Sequence, residues 1–435
     1  MASTGNVNTT VIANNSALAR KLYSVALFAQ CQKAPGFSRA LTGPAPSTEQ
    51  ALSKLKAQTS PDMPIVRVTD LSKTAGDKVS VDMFNVVGGK PVMGDADAEG
   101  TGAALTNSSM DVNIDLTTKV VDAGGKMSQQ RTVHDLRNIA MAQLVSYFAR
   151  LDDQLSLVHL AGNRGYETNN DWILPLASDA VAPTLATISV NTIKAPTYGR
   201  HFRADGGGLF AKAPTMIAAE ATNPPATTDV LTLDHIDNLR VLLDEMDYPL
   251  QPVKIADDPS ADDDPMWVLY LSPRQYAALL TSTATNNIRA FQQNAWNRAS
   301  YGSKHPLFKG EVGMWNGILV KKLNRAIRFT TGSNYTYCTA AGVATAAEAT
   351  AAVHANITAA FAVDRGILLG GQALANAYGR NKASDYHFNW MENKYNFERA
   401  LEVGGDVMGG KAKLRFTYTN PEDHGVIAVD SVVAL

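Results

Sequence analysis

The chain has 435 residues, 45% of them hydrophobic, which is enough for more than one packed unit with a sizeable core. Charged residues make up only 18%, against roughly 25% in ordinary globular proteins, and 39 basic against 41 acidic residues leave a net charge of −2. That balance speaks against a specific duplex-DNA binder, which needs a basic excess to displace counterions. Two cysteines, Cys31 and Cys338, without CxxC or Cys/His spacing, speak against a disulfide scaffold or a zinc module.

The N-terminus lacks a basic segment followed by an apolar run, and no stretch approaches the roughly 18 apolar residues of a membrane span. A soluble protein made in a reducing cytoplasm is therefore expected. So little charge also suggests a surface partly buried against partners.

Residues 1–60 read as an arm. An amphipathic helix is predicted over 17–30, with Leu18, Leu22, Val25 and Phe28 on one face, and a second helical segment over 48–58, separated by Pro35-Gly36 and Gly43-Pro44. Residues 61–122 turn to β character. Ile65 to Thr69 partly alternates, Gly76-Asp77 marks a turn, Lys78 to Phe84 alternates, and so does Met110 to Leu116. Between them Gly88 to Gly102 forms a Gly/Asp-rich tip. A lone ribbon of this kind is marginal in water and needs something to lie on.

Gly124-Gly125 is read as a break. From Ser128 the pattern is helical and long: Val133, Leu136, Ala140, Leu144, Phe148, Leu151, Leu155 and Val158 follow three- and four-residue steps. Ser128 or Thr132 is the expected cap and Gly162 the stop. A helix over 128–161 would span about 50 Å at about 1.5 Å per residue, a structural spine. His134 and His159 are expected to decorate it.

Further on, Asp205 to Gly208 reads as a loop, Thr232 to Met246 as a helix and Met266 to Leu271 as a buried strand. Ser272-Pro273 opens a helix to Thr281, and Ile318 to Val320 is a strand behind a glycine-rich run. Residues 339–360 are Ala/Thr-rich and of low complexity. Phe361 to Gly370 reads as a strand, Gln372 to Tyr378 as a short helix, Ala412 to Thr419 as an alternating strand and Val426 to Val433 as a buried one. The class is α+β.

Motifs that carry chemistry resolve to blander readings. Gly405 to Lys411 fits G-x-x-x-x-G-K, but Ala412 stands where a hydroxyl should hold magnesium, Asp406 puts a negative charge in the cradle, and a strand follows; a glycine-rich turn is expected. Asp95, Asp97 and Glu99 open like a calcium loop, yet Thr106 occupies the place of the bidentate carboxylate. Asp257, Asp258, Asp262, Asp263 and Asp264 read as a solvated loop. The eight histidines show no paired ligand spacing, and no G-x-S-x-G elbow exists. No catalytic, cofactor or metal residues are assigned.

The order of arm, β-excursion, long helix, central α/β region and closing strands resembles the major capsid proteins of tailed phages, with the Hong Kong 97-type fold. Pro64 to Leu71, Gly89 to Asp95, Val121 to Arg137, Arg150 to Gln154, His159 to Gly162, Tyr270 to Tyr276 and Asp423 to Ile427 look like the coat proteins of the N-four-like podoviruses. The resemblance implies an N-arm at 1–60, an E-loop at 61–122, a P-domain at 123–227 with its spine helix at 128–161, an A-domain at 228–384, and closing P-domain strands at 385–435.

It implies subunits gathered into hexamers and pentamers, an E-loop laid over the neighbouring subunit, and an arm crossing to a neighbour, many modest contacts adding up by multivalency. Implied partners are further copies of the chain, a portal protein, scaffolding and decoration proteins, and packaged double-stranded DNA held by weak non-specific contact, with no membrane. Arg67, Lys90, Val92, Met93 and Glu99 are the inter-subunit contact candidates. Competing readings are a cellular encapsulating compartment of the same fold, separated by its cargo, a cytoplasmic enzyme with a dispersed site, and an extracellular fibre.

Overall fold

The computed structural model describes residues 36–43, 59, 62–68, 76–84, 90–94, 99, 102, 107–132, 135–169, 171–212, 226–254, 265–281, 311–330, 334–335, 352–353, 361–379, 387–397, 399–417 and 421–434. The helices expected at 17–30 and 48–58, both cysteines, the aspartate cluster at 257–264, His134, most of the Gly/Asp-rich tip and nearly all of the Ala/Thr-rich segment lie outside them.

In chain order, α1 (Phe37–Ala40) precedes β1 (Ile65–Val68), β2 (Lys78–Phe84), β3 (Asn107–Asn113) and β4 (Asp115–Gly125). Then come α2 (Lys126–Arg131), α3 (Leu136–Ala161), α4 (Leu185–Ser189), a 3-10 turn at Tyr198–Arg200, β5 (His201–Ala204) and β6 (Phe210–Lys212). The middle holds α5 (Leu233–Asp244), β7 (Trp267–Leu271), α6 (Pro273–Thr281), β8 (Glu311–Trp315), β9 (Ile318–Lys322) and β10 (Ile327–Phe329). A two-residue pair, β11 (Asn334–Tyr335) with β12 (Ala352–Val353), is followed by β13 (Phe361–Leu369), β14 (Leu374–Tyr378), β15 (Phe388–Tyr395), β16 (Ala400–Lys413), β17 (Arg415–Thr417), β18 (Pro421–Asp423) and β19 (Val426–Ala434).

Two sheets organise these elements. An eight-stranded sheet runs β6-β5-β19-β13-β7-β9-β8, with β10 also on β13. Its strands are apolar on both faces because both are covered. Along β7, Val268 and Tyr270 turn toward the last turns of α3, while Trp267, Leu269 and Leu271 turn toward α5 and α6, where Leu233, Ile236, Leu239, Leu243 and Leu279 wait. A five-stranded sheet runs β1-β14-β16-β15, with β4 on the other edge of β16. One face packs on the first half of α3 through Phe388, Trp390 and Val403 against Ala140, Leu144 and Phe148. The other, through Val66, Val68, Ala375, Ala377 and Ala412, carries Val79, Met110 and Val112 of the β2–β3 ribbon, with Phe416 of β17 alongside.

The long helix thus spans both sheets, and this explains where it departs from expectation. It begins at Leu136, not Ser128: α2 ends at Arg131, Thr132 is extended, and Asp135 caps α3 by accepting from the Arg137 and Asn138 amides. Its 26 residues give about 39 Å at about 1.5 Å per residue, not 50. Gly162 ends it in the left-handed conformation, as expected. The amphipathic stripe fades in the last two turns: Ser156 to Ala161 are buried all round, and so is His159, which does not decorate the surface. A helix wedged between two layers has no solvent side there.

Residues 36–43 clip onto this helix. The Ser38 amide and hydroxyl donate to Asp153 Oδ1 at 3.0 and 2.8 Å, the hydroxyl also reaches Asp152 Oδ2 at 2.8 Å, and Phe37 meets Tyr270 edge to face at 4.7 Å.

Four further expectations change. The strand through Leu116 does not stop before Gly124; β4 continues to Gly125 and belongs to the five-stranded sheet, so the excursion proper is β2–β3. Gln372 to Tyr378 is not a helix: β14 runs parallel to β1 and antiparallel to β16, its alanines fitting the tight space under the ribbon. Gly405 to Lys411 is not a turn but the middle of β16. The last strand, β19, does not join the strands at 388–417; it lies between β5 and β13 in the eight-stranded sheet.

Candidate assembly surface

The β2–β3 ribbon pairs from Lys78 opposite Asn113 to Phe84 opposite Asn107. Its two faces have different fates. Val79, Met110 and Val112 are buried on the protomer's own sheet, so the root of the ribbon finds support within the chain. The other face presents Lys78, Ser80, Asp82 and Asp111 to solvent, with Ser80 Oγ donating to Asp111 Oδ1 at 2.5 Å.

Lys90, Pro91, Val92, Met93 and Gly94 are all exposed, Met93 by 76% and Val92 by 40%. Gly94 has φ +65° with nothing within 4 Å of a would-be Cβ, an open left-handed turn. Four of the five contact candidates, Lys90, Val92, Met93 and Glu99, are therefore exposed between β2 and β3. Arg67 is elsewhere. It is the third residue of β1, half-buried, with its backbone tied to Thr59, and it stands beside Asn376 of β14, itself opposite Lys411 of β16. Its charge acts inside the fold, on Asp152 of α3 and on His387.

Apolar side chains are also exposed away from the tip: Leu116 and Val120 on β4, Met127 on α2, Ile139 on α3, and Phe397 between β15 and β16.

Several titratable groups, by contrast, are buried and matched by strand register. Arg203 of β5, Asp430 of β19 and Arg365 of β13 stand side by side across the eight-stranded sheet. Arg365 donates to Asp430 at 2.9 and 3.1 Å, and His201 Nε2 contacts the same carboxylate. Burial pushes the Asp430 carboxyl up while Arg203 opposes it. One register step on, Asp364 receives Arg328 at 2.7 and 2.8 Å and the Ser272 hydroxyl at 2.6 Å.

Near the five-stranded sheet, Asp423 accepts from Lys413 at 2.7 Å and from Arg415, its register partner, at 2.8 Å. Burial would raise the Asp423 carboxyl, but the two cations outweigh it and hold it low. Burial brings Lys413 down to about 8 against the pull of Asp423. Lys411, which sequence spacing offered as a phosphate-loop lysine, bridges to Asp152 at 2.6 Å and donates to Ser156 Oγ at 2.6 Å.

Among the described residues no group of three or more His, Cys, Asp or Glu could hold a metal, and no helix is long and apolar enough to cross a membrane. The ion pairs went unread in the sequence because their partners lie 8 to 259 residues apart; the one signal was a charge in otherwise apolar strands, Asp364-Arg365 and Asp430.

Ion pairs buried within the protomer, together with apolar side chains exposed at the ribbon tip and the β15–β16 turn, fit a subunit that assembles with copies of itself. The chain belongs to the phage capsid protein family, whose profile matches residues 11–435. No curated protein matches it. Among solved structures it is similar to the capsid of Ralstonia phage GP4, at 27% identity and a TM-score of 0.65 over 86% of this chain and 88% of that one. The cyanophage Pam1 capsid matches at 21% identity and TM-score 0.56 over 86% and 90%. The head of Helicobacter pylori bacteriophage KHP40 matches at 13% and 0.52 over 98% and 95%. The expectation of an α+β, Hong Kong 97-type subunit is met: this is a major capsid protein, a structural subunit of the phage shell.

Proposed function

We propose that the chain closes into hexamers and pentamers around a double-stranded DNA genome, with the β2–β3 ribbon and its tip laid over the neighbouring subunit. The five-stranded sheet with the first half of α3 serves as the peripheral domain, and the eight-stranded sheet with α5 and α6 as the axial one. On this partition β4 moves from the excursion to the peripheral domain, and β19 and the β5–β6 hairpin join the axial domain. Residues 36–43 fasten the arm to α3, leaving what precedes them to reach a neighbour. Portal, scaffolding and decoration proteins are the expected partners, assembly takes place in the host cytoplasm, and DNA contact is weak and non-specific, in keeping with a net charge of −2. The subunit acts without catalysis or cofactor.

The observation that carries this reading is the tip: a lysine and two apolar side chains held out in solvent on a ribbon whose root is anchored. The test is Lys90→Glu together with Met93→Ser. Particle yield and particle resistance to denaturant should fall, while the urea midpoint of the unassembled subunit stays put. Unchanged particles would reject the tip as an inter-subunit contact. Arg67, half-buried in β1, should behave differently: Arg67→Ala should weaken the subunit itself.

A further inference from the structure

The β15–β16 hairpin turns through Asn396 and Phe397, both with left-handed backbone at φ 52° and 53°. Asparagine tolerates that region, whereas a phenylalanine is strained there because its Cβ crowds the neighbouring carbonyl. The ring is also 97% exposed, more than any other large apolar residue among those described. Strain and apolar exposure fall on one residue, and glycine would remove both. Such a position makes sense when the side chain is covered by something outside the protomer. Lys394 and Arg399 flank the tip, are exposed and make no ion pair among the described residues; with Glu398 between them the turn keeps a basic excess of one charge.

A cavity of about 400 Å³ opens between the 3-10 turn at Tyr198–Arg200 and the C-terminal end of α5. Phe202, Leu242 and Met246 form its apolar lining. Arg200 is held inside it by Met246 Sδ at 2.9 Å, the Tyr248 carbonyl at 2.6 Å and Glu422 at 3.9 Å. Glu245 and Asp247 stand exposed on the rim without an ion pair among the described residues. An apolar hollow with an acidic rim complements an apolar knob with basic flanks.

We propose that Phe397 of one copy enters this cavity on a second copy, with Lys394 and Arg399 meeting Glu245 and Asp247. Knob and hollow lie on different parts of the same chain. Used head to tail, the contact is heterologous and propagates into rings or lattices; a closed dimer would instead make it twice and give cross-linked pairs with no ladder. The inference rests on the shell reading and adds to it a specific pair of surfaces, remote in sequence from the ribbon tip.

The test uses full-length chains carrying Phe397→Cys and Glu245→Cys, assembled and then oxidised. On a denaturing, non-reducing gel the double variant should give a ladder of cross-linked chains that neither single variant gives. Monomers alone, from intact particles, would overturn the contact and leave the shell reading untouched. Failure of the wild-type chain to form particles even with a scaffold supplied would overturn both. Phe397→Gly provides an independent check. Loss of one buried anchor per contact, at about 1.4 kcal/mol per factor of ten, predicts roughly tenfold fewer particles. The subunit's own urea midpoint should hold or rise as strain is relieved. An undiminished particle yield would also overturn the proposal.

Discussion

His159 shows what burial does to a single residue in this protein. It lies in the last turn of α3, and desolvation lowers its pKa to about 3, with Lys411, Lys413 and Lys194 pushing the same way and a backbone contact with Ser189 opposing. The folded protein therefore refuses a proton that the unfolded chain accepts below its ordinary value of 6.5. Stability from this site is whole above pH 6.5 and drains as pH falls toward 3, at about 1.4 kcal/mol per unit. His387 and His424, brought to about 4 chiefly by burial, add to the loss over the same window. Asp153, raised chiefly by burial, partly offsets it. Replacing His159 with Gln should make the subunit less acid-sensitive. Urea titrations at pH 7.5 and 5 should show the gap between them shrinking by about 2 kcal/mol relative to wild type. An unchanged gap would mean the imidazole is hydrated in the native state. Asp423 makes the complementary point: Asp423→Ala strands Lys413 and Arg415 in the interior and should cost about 3–5 kcal/mol in denaturant unfolding.

At the scale of the element, strongly patterned segments were legible. Lys78 to Phe84 alternates, and its strand has those bounds; Trp267 to Leu271 is wholly apolar and is a strand buried on both faces; Pro273 opens α6 where proline is tolerated. What failed, failed where tertiary contacts overrode local preference. Leu374 to Tyr378 is rich in alanine and reads as helix, yet its backbone is claimed by β1 on one side and β16 on the other. The glycines at 404, 405, 409 and 410 signal a turn in isolation. In β16 the last two permit close approach instead: a Cβ at Gly410 would come within 1.9 Å of the Asn113 carbonyl oxygen, and one at Gly409 within 3.1 Å of that of Ala377. The assembly candidates divide in the same way, because tip residues in a polar loop advertise exposure while Arg67 in an apolar strand gave no sign of its interior role. Gly162 was legible for a reason that can be tested. With φ +70°, its Cβ would meet the Lys194 carbonyl oxygen at 2.5 Å, so Gly162→Ala both strains the backbone and displaces the segment carrying Lys194. A loss of about 1–3 kcal/mol in the urea midpoint is expected. A neutral outcome would show that the helix end can unwind without consequence.

The whole molecule separates what must fold from what must assemble. Its charges are few, and many are spent on internal pairs across strands, leaving an outer surface where apolar groups on β4, α2, α3 and two tips lie bare. On the proposed reading the paired interior folds the protomer, and many weak contacts between identical copies complete its surface. Removing residues 85–106 and closing Phe84 onto Asn107 with an Asn-Gly turn tests that division. The two residues are the last register pair of the ribbon, so a two-residue hairpin connection fits. The ribbon root remains held by Val79, Met110 and Val112 on Val66, Val68 and Ala375, so subunit stability should change by no more than about 0.5 kcal/mol. Light scattering and electron microscopy should nevertheless find no closed shells, because the exposed Lys90 to Met93 segment that would reach the neighbour is gone. Closed shells from the shortened chain would place the essential contacts elsewhere, on the β4 edge or the Phe397 hairpin. A collapse of subunit stability would show instead that the tip folds back to support its own protomer.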